Sequence, residues 1–201
     1  MRRILVVFLS ALLPVFLASC GGGISGALGG LLESPEAARP GAVDAAAAAR
    51  LISQYRVDHG LKPLALDPTL MKLAAEHAQR MASQDRMSHT LPGEGSFASR
   101  IAAGGFQASM AAENVAAGQK TLAEVFEAWR KSPGHNANML LPNVSLMGIA
   151  LSVQPGGRYH TYWSLELGER YVPRAGDLGP GPGPGPGPGT ELTIFGAQVG
   201  R

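Results

Sequence analysis

A single cysteine, Cys20, occurs in 201 residues. One thiol cannot close an internal disulfide, complete a zinc knuckle or form a CxxC redox pair, so those classes are excluded. Charge of one sign is also missing: 17 Lys and Arg face 15 Asp and Glu, a net charge of +2. Nucleic-acid binders normally carry a basic stripe, and none is visible, so no nucleic-acid partner is expected. Long apolar runs are scarce. The one at the N-terminus, Ile4 to Leu17, is interrupted by Ser10 and Pro14 and is too short for a stable spanning helix. No internal repeat is present. What remains is a 45% apolar chain, globular in composition and long enough to bury one domain core.

The apolar run follows Met1-Arg2-Arg3 and ends in Leu17-Ala18-Ser19-Cys20, before Gly21-Gly22-Gly23. A cationic start, an apolar middle and small residues at the end read as a secretory signal. Leu-Ala-Ser-Cys resembles a bacterial lipobox, which implies cleavage before Cys20, lipidation of its thiol and a membrane partner through the acyl chains. Each buried methylene contributes roughly 0.8 kcal/mol, so several chains hold firmly. The expected location is the cell envelope, at the outer membrane if the cell has one. Residues 1–19 are then the signal peptide and 20–40 a flexible tether. Residues 41–172 form the folded domain, 173–189 a Gly/Pro-rich linker and 190–201 a short tail. Leu192, Ile194 and Phe195 leave open whether the tail docks as a strand or frays.

Within the domain, Asp44 is the expected N-cap of a first helix whose apolar face holds Leu51, Ile52 and Tyr55, with Gly60 as its stop. Asp67-Pro68 opens a second helix. Its stripe, Leu70, Leu73, Ala74, His77, Ala78 and Met81, recurs at three- and four-residue steps. A Gly-rich loop is expected after His89. Thr121 and Glu124 form the capping box of a third helix, with Trp129 in its core stripe and Pro133 as its end. Leu146 to Val153 reads as a buried strand. Pro155-Gly156-Gly157 supplies a turn, and Tyr159 to Leu167 alternates, so the two strands should pair as an antiparallel hairpin. Helices first and a hairpin last predict an α+β layered domain.

Three polar segments punctuate this pattern: Ser88-His89-Thr90, Ala112-Glu113-Asn114 and Ser132-Pro133-Gly134-His135. All are expected at element ends, where side chains can converge on one cleft. Two imidazoles and a carboxylate are the minimum for a divalent metal site or for acid–base work. His89, Glu113 and His135 are therefore the candidate metal ligands, for zinc or another divalent cation, and the candidate catalytic groups. His77 reads as a core or cleft-edge histidine with one hydrogen bond. Ser132 and Asn114 are also placed at the cleft edge, and Asn114 and Asn138 are expected to fix backbone. His59 and His160 read as structural and surface residues. Neither Ser88 nor Ser132 lies in a G-x-S-x-G elbow, so a serine hydrolase is not expected.

In order along the chain come Lys62-Pro63-Leu64, Ala75-Glu76-His77, Ser88-His89-Thr90, Arg100-Ile101, Glu113-Asn114, Trp129, Ser132-Pro133-Gly134-His135, Gly148-Ile149-Ala150 and Tyr162-Trp163. This ordered set resembles the CAP superfamily of cysteine-rich secretory, antigen 5 and class 1 pathogenesis-related proteins, in its bacterial branch. The resemblance implies a three-layer α-β-α sandwich with a central antiparallel sheet. It also implies a cleft lined by His89, His135 and Glu113. The family's second glutamate falls on Ser132, so the full set of two His and two Glu is absent. Extracellular relatives are stapled by disulfides, which this chain cannot make. The expected function is an exported binding module for an envelope or extracellular ligand (peptide, glycan or lipid). The alternative is a metal-assisted hydrolase of peptides or envelope polymers. A lipid carrier with an apolar groove near Gly104-Gly105-Phe106 is the third reading.

Overall fold

The computed structural model describes residues 42–173, 191–194 and 198–199. The signal peptide, Cys20 and the tether lie outside the described residues, as does the linker over 174–190.

The caps fall where the sequence places them. Asp44 accepts from Ala47 N at 2.8 Å and starts α1, Ala45–Asp58. Gly60, at φ +73°, follows its end, the left-handed conformation that glycine adopts without a Cβ penalty. Asp67 accepts from the amides of Thr69 and Leu70 and starts α2, Pro68–Ser83. Thr121 accepts from Glu124 N and starts α4, Leu122–Lys131. The Glu124 carboxylate closes on Lys120 N, not on the cap residue itself.

The expected hairpin is present. Strand β3, Leu146–Val153, pairs antiparallel with β4, Thr161–Arg170. On the far side of β4 lies β2, Ala108–Ala117, also antiparallel, with Glu113 opposite Glu166. The centre of the sheet is thus antiparallel as expected, and its edges are parallel. Strand β1, Ala65–Leu66, runs parallel to β3, and β5, Glu191–Ile194, runs parallel to β2. A further short strand, β6, Gln198–Val199, pairs parallel with the end of β2. The order is β1-β3-β4-β2-β5.

Both sheet faces are covered, which makes three layers. On one face Ile52 of α1, Val125 and Trp129 of α4 and Met139 of α5 (Pro133–Met139) pack on Ala112, Met147, Ile149, Trp163, Leu165 and Leu167. On the other, Leu70 and Leu73 of α2 and Phe97 and Ile101 of α3 (Phe97–Ala103) pack on Phe106 and Ala111. Further along α2, Met81 meets Val115 and Tyr162, and Ala74 and Ala78 meet Ala150. Gly148 lets α2 approach closely: a Cβ there would lie 2.2 Å from the carbonyl carbon of Leu70.

Three elements differ from the sequence expectation. The loop after His89 contains α3, a short helix capped by Ser96. Pro133 ends α4 and also begins α5 as its first residue, as proline at N1 permits. Glu113 and Asn114 lie inside a ten-residue strand, not at an element end. The Ala, Glu and Asn content of that segment is depleted in strands generally, and tertiary pairing overrides it.

Arg56, which the sequence does not single out, is wholly buried. Its guanidinium donates to the carbonyls of Lys62, Met139, Leu141 and Val144 at 2.7–2.9 Å. It thereby ties the end of α1 to the segment between α5 and β3.

Candidate functional site

Alternation along β2 decides which side each site residue serves. Ala111, Glu113 and Val115 face α2 and α3. Ala112, Asn114 and Ala116 face α1, α4 and α5. Glu113 therefore enters the α2 layer from the middle of the sheet, buried completely.

Its two oxygens are both used. Oε1 accepts from His89 Nδ1 at 2.6 Å. Oε2 pairs with the Arg100 guanidinium of α3, and His77 Nε2 lies 3.6 Å from it. A second Arg100 nitrogen donates to His89 O at 2.7 Å, so one side chain fixes both the carboxylate and the backbone carrying the imidazole. Burial pushes the Glu113 carboxyl up, but the His89 hydrogen bond and the charges of His77 and Arg100 outweigh it. The group is held below the usual carboxylate range.

His77 makes two hydrogen bonds, not the expected one. Nδ1 meets Glu94 Oε1 at 2.8 Å and Nε2 donates to Ser88 O at 3.0 Å. Arg100 Nε lies 3.6 Å from the same Glu94 oxygen. Glu94, His77, Arg100, Glu113 and His89 thus form one continuous network. His89 is its outlet, with 14% of its side chain exposed against 0% for His77 and Glu113.

His135 belongs to α5, on the other layer. Asn114 Nδ2 donates to His135 O at 3.0 Å, while Asn138 Nδ2 donates to Glu113 O and Asn114 Oδ1. The two asparagines lock strand to helix, the backbone role the sequence suggests, and Asn114 is buried there. The His135 ring is fully buried, and neither nitrogen has a hydrogen-bond partner among the described residues. Burial, and then the charge of His89, hold its pKa down at about 4, so the ring is neutral at physiological pH. His89 and Glu113 are brought into direct contact, and His135 is held on the other layer. Ser132 is the residue shared between α4 and α5 and makes no side-chain cap bond.

The three expected metal ligands do not fit a shared cation. Zinc takes carboxylate and imidazole lone pairs that are open to it. Glu113 has its oxygens on His89 and Arg100, and a guanidinium in the ligand shell repels a divalent ion. Among the described residues no three His, Cys, Asp or Glu side chains are disposed to hold a metal.

A cavity of about 280 Å³ opens between α2 and α3 and is lined by Lys72, Glu76, Arg80, Glu94, Arg100 and Gly104, among others. Its wall is mixed, because Leu73, Ser99 and Ala103 line it beside the charged side chains, and His89 is not part of it. Phe106, expected beside an apolar groove, is buried in the core with the Arg170 guanidinium 4.6 Å from its ring centre. Sequence reasoning missed Glu94, Arg100 and Glu166 as site residues. For Glu166 a signal exists: a carboxylate between Leu165 and Leu167, in a strand covered on both faces.

The three-layer α-β-α sandwich is the fold of SCP-domain structures. The chain belongs to the cysteine-rich secretory protein family (CAP), which it matches over residues 49–167. It is 39% identical over 99 residues to the uncharacterized protein YkwD of Bacillus subtilis, covering 49% of this chain and 38% of that protein. Its fold is similar to an extracellular SCP-domain protein of Bacillus anthracis, at a TM-score of 0.56 and 24% identity, over 63% of this chain and 40% of that one. It is also similar to an outer surface protein of Borrelia burgdorferi, again at a TM-score of 0.56 and 24% identity, over 61% and 89% of the two chains. The chain thus spans well under half the length of both Bacillus proteins.

Proposed function

We propose that this is an exported, lipid-anchored binding module of the cell envelope, which takes a peptide or glycan at the surface where His89 emerges. One observation carries the reading: His89 reaches solvent while the carboxylate that orients it is buried and charge-compensated by Arg100. Such an imidazole is held in one orientation, as a fixed recognition group needs. Export is supported by the signal-like N-terminus and by the extracellular and outer-surface descriptions of the structural neighbours.

The same 2.6 Å bond favours hydrolysis as the second reading, because a carboxylate-oriented imidazole is a general-base arrangement. Against it, Ser88 Oγ donates to Thr90 O and not to the imidazole.

The discriminating experiment titrates peptide and peptidoglycan fragments into wild type and His89→Ala, followed by calorimetry and by assay for cleavage. Binding weakened about tenfold in the variant, roughly 1.4 kcal/mol, with no turnover in either protein, is the expected result. Turnover in wild type that disappears with His89 replaces the binding module with the hydrolase. Zinc is titrated alongside: heat that vanishes in both His89→Ala and His135→Ala restores the metal. For the anchor, Cys20→Ser should move the protein from the membrane fraction to the soluble fraction. Retention of that variant in membranes removes the lipid from the proposal.

A further inference from the structure

Glu166 lies directly opposite Glu113 in the β2–β4 register. Residues directly opposite in an antiparallel pair point to the same face, with Cβ atoms about 5 Å apart. Both side chains are essentially without solvent contact. One Glu166 oxygen, Oε1, accepts from Ser164 Oγ at 3.2 Å. The other, Oε2, is buried and has no donor among the described residues. An orphaned buried acceptor is costly.

Among the described residues, the neighbouring elements supply no uncommitted positive charge for it. Across β4, the β3 residue in register is Gly148. On α3, Arg100 is already placed against Glu113 and Glu94. On α2, His77 is directed at Glu94, Ser88 O and Glu113. The loop histidine, His89, is directed at Glu113. The guanidinium cations nearby, Arg100 and Arg80, are directed at Glu94 and Glu113, with Arg80 Nε 3.8 Å from Glu94 Oε1. A further buried anion would be uncompensated. The available donor for the orphan oxygen is a proton between the two carboxyl groups.

We propose that Glu166 stays protonated at neutral pH and shares its proton with Glu113, a one-proton carboxyl pair behind the His89 cleft. Glu166 is then a positioning residue. It touches no ligand, holds the Glu113 carboxylate from strand β4, and through it holds His89. Burial first, and then the Glu113 charge, drive its carboxyl well above the usual range, in agreement with the geometry. Strand β4 thus places a second carboxyl beside the first, which is not the position that Ser132 occupies.

The sign of the pH effect follows. A carboxyl raised in the folded state contributes stability below the ordinary carboxyl range and loses it as pH rises toward the raised value. Glutamine keeps a donor toward Glu113 and has nothing to titrate. Infrared spectra of the full wild-type chain at pH 7 should show the carbonyl stretch of a protonated carboxylic acid, absent in Glu166→Gln. In urea unfolding at stepped pH, the glutamine variant should gain on wild type by up to tenfold in folding equilibrium per pH unit above about 4.5. Lack of the infrared band in wild type, or a difference between the two proteins that is flat with pH, overturns the proposal. If the glutamine variant does not fold, the wild-type band decides alone. Neither readout involves a ligand, so this result stands apart from that of the binding experiment.

Discussion

Arg56→Met is expected to cost on the order of 4 kcal/mol of folding stability, at the upper end of what single substitutions do. The guanidinium donates to four carbonyls, those of Lys62, Met139, Leu141 and Val144. Each buried acceptor left without a donor costs about 1–3 kcal/mol. The four costs do not simply add, because the loop can relax and admit water. Methionine also removes a desolvated cation: burial lowers the Arg56 pKa, so part of the loss is offset. Arg56→Lys should fall in between, since an ammonium has three donors and no planar fork. Against a typical stability of about 5–15 kcal/mol, the methionine variant is marginal. Urea midpoints of the three proteins check this. Midpoints within about 0.5 kcal/mol of wild type would mean that the carbonyls find other partners.

Arg100→Met should be nearly as damaging, and its effect should depend on pH. It removes the cation from Glu113, and breaking a buried pair from one side costs about 3–5 kcal/mol. It also removes the donor to His89 O, so the cleft histidine loses its backbone support. In wild type the Glu113 carboxyl is held below its usual value despite burial. Such a group contributes stability that is present above the ordinary carboxyl range and is lost as pH falls through the lowered value. The gap between wild type and variant is therefore widest near neutrality and narrows toward acid pH, where the carboxyl left without its cation takes up a proton. Equal losses at neutral and acid pH would show that Arg100 acts through packing and not through its charge.

Much of the helical framework is visible in the chain. Asp44, Asp67 and Thr121 cap the helices that the sequence assigns to them, because capping is a matter of a few adjacent residues. The β3–β4 hairpin follows from an apolar run, a turn and an alternating run. Strand β2 is not visible as a strand, since Ala108 to Ala117 has no strong β-formers except Val115. Its pairing with β4 makes it one. Glu113 stands out in the sequence, but as a loop residue, and its partner Arg100 stands out only within a family resemblance. The sequence groups His135 with Glu113 as one ligand set. The helix of His135 packs on the opposite sheet face and is joined to the Glu113 strand through Asn114 and Asn138.

Local rules, acting over three or four residues, are enough to set where helices begin and end, which face of α2 is apolar, and that His89 and Glu113 stand out among apolar neighbours. They carry no information on which distant strand lies beside which. Register places Glu166 against Glu113, 53 positions apart, and α3 carries Arg100 between Glu113 and Glu94. Those contacts arise only when the sheet closes and water leaves. Burial then sets Glu94 and Glu113 against the Arg100 guanidinium and leaves Glu166 beside Glu113 with one oxygen unpartnered.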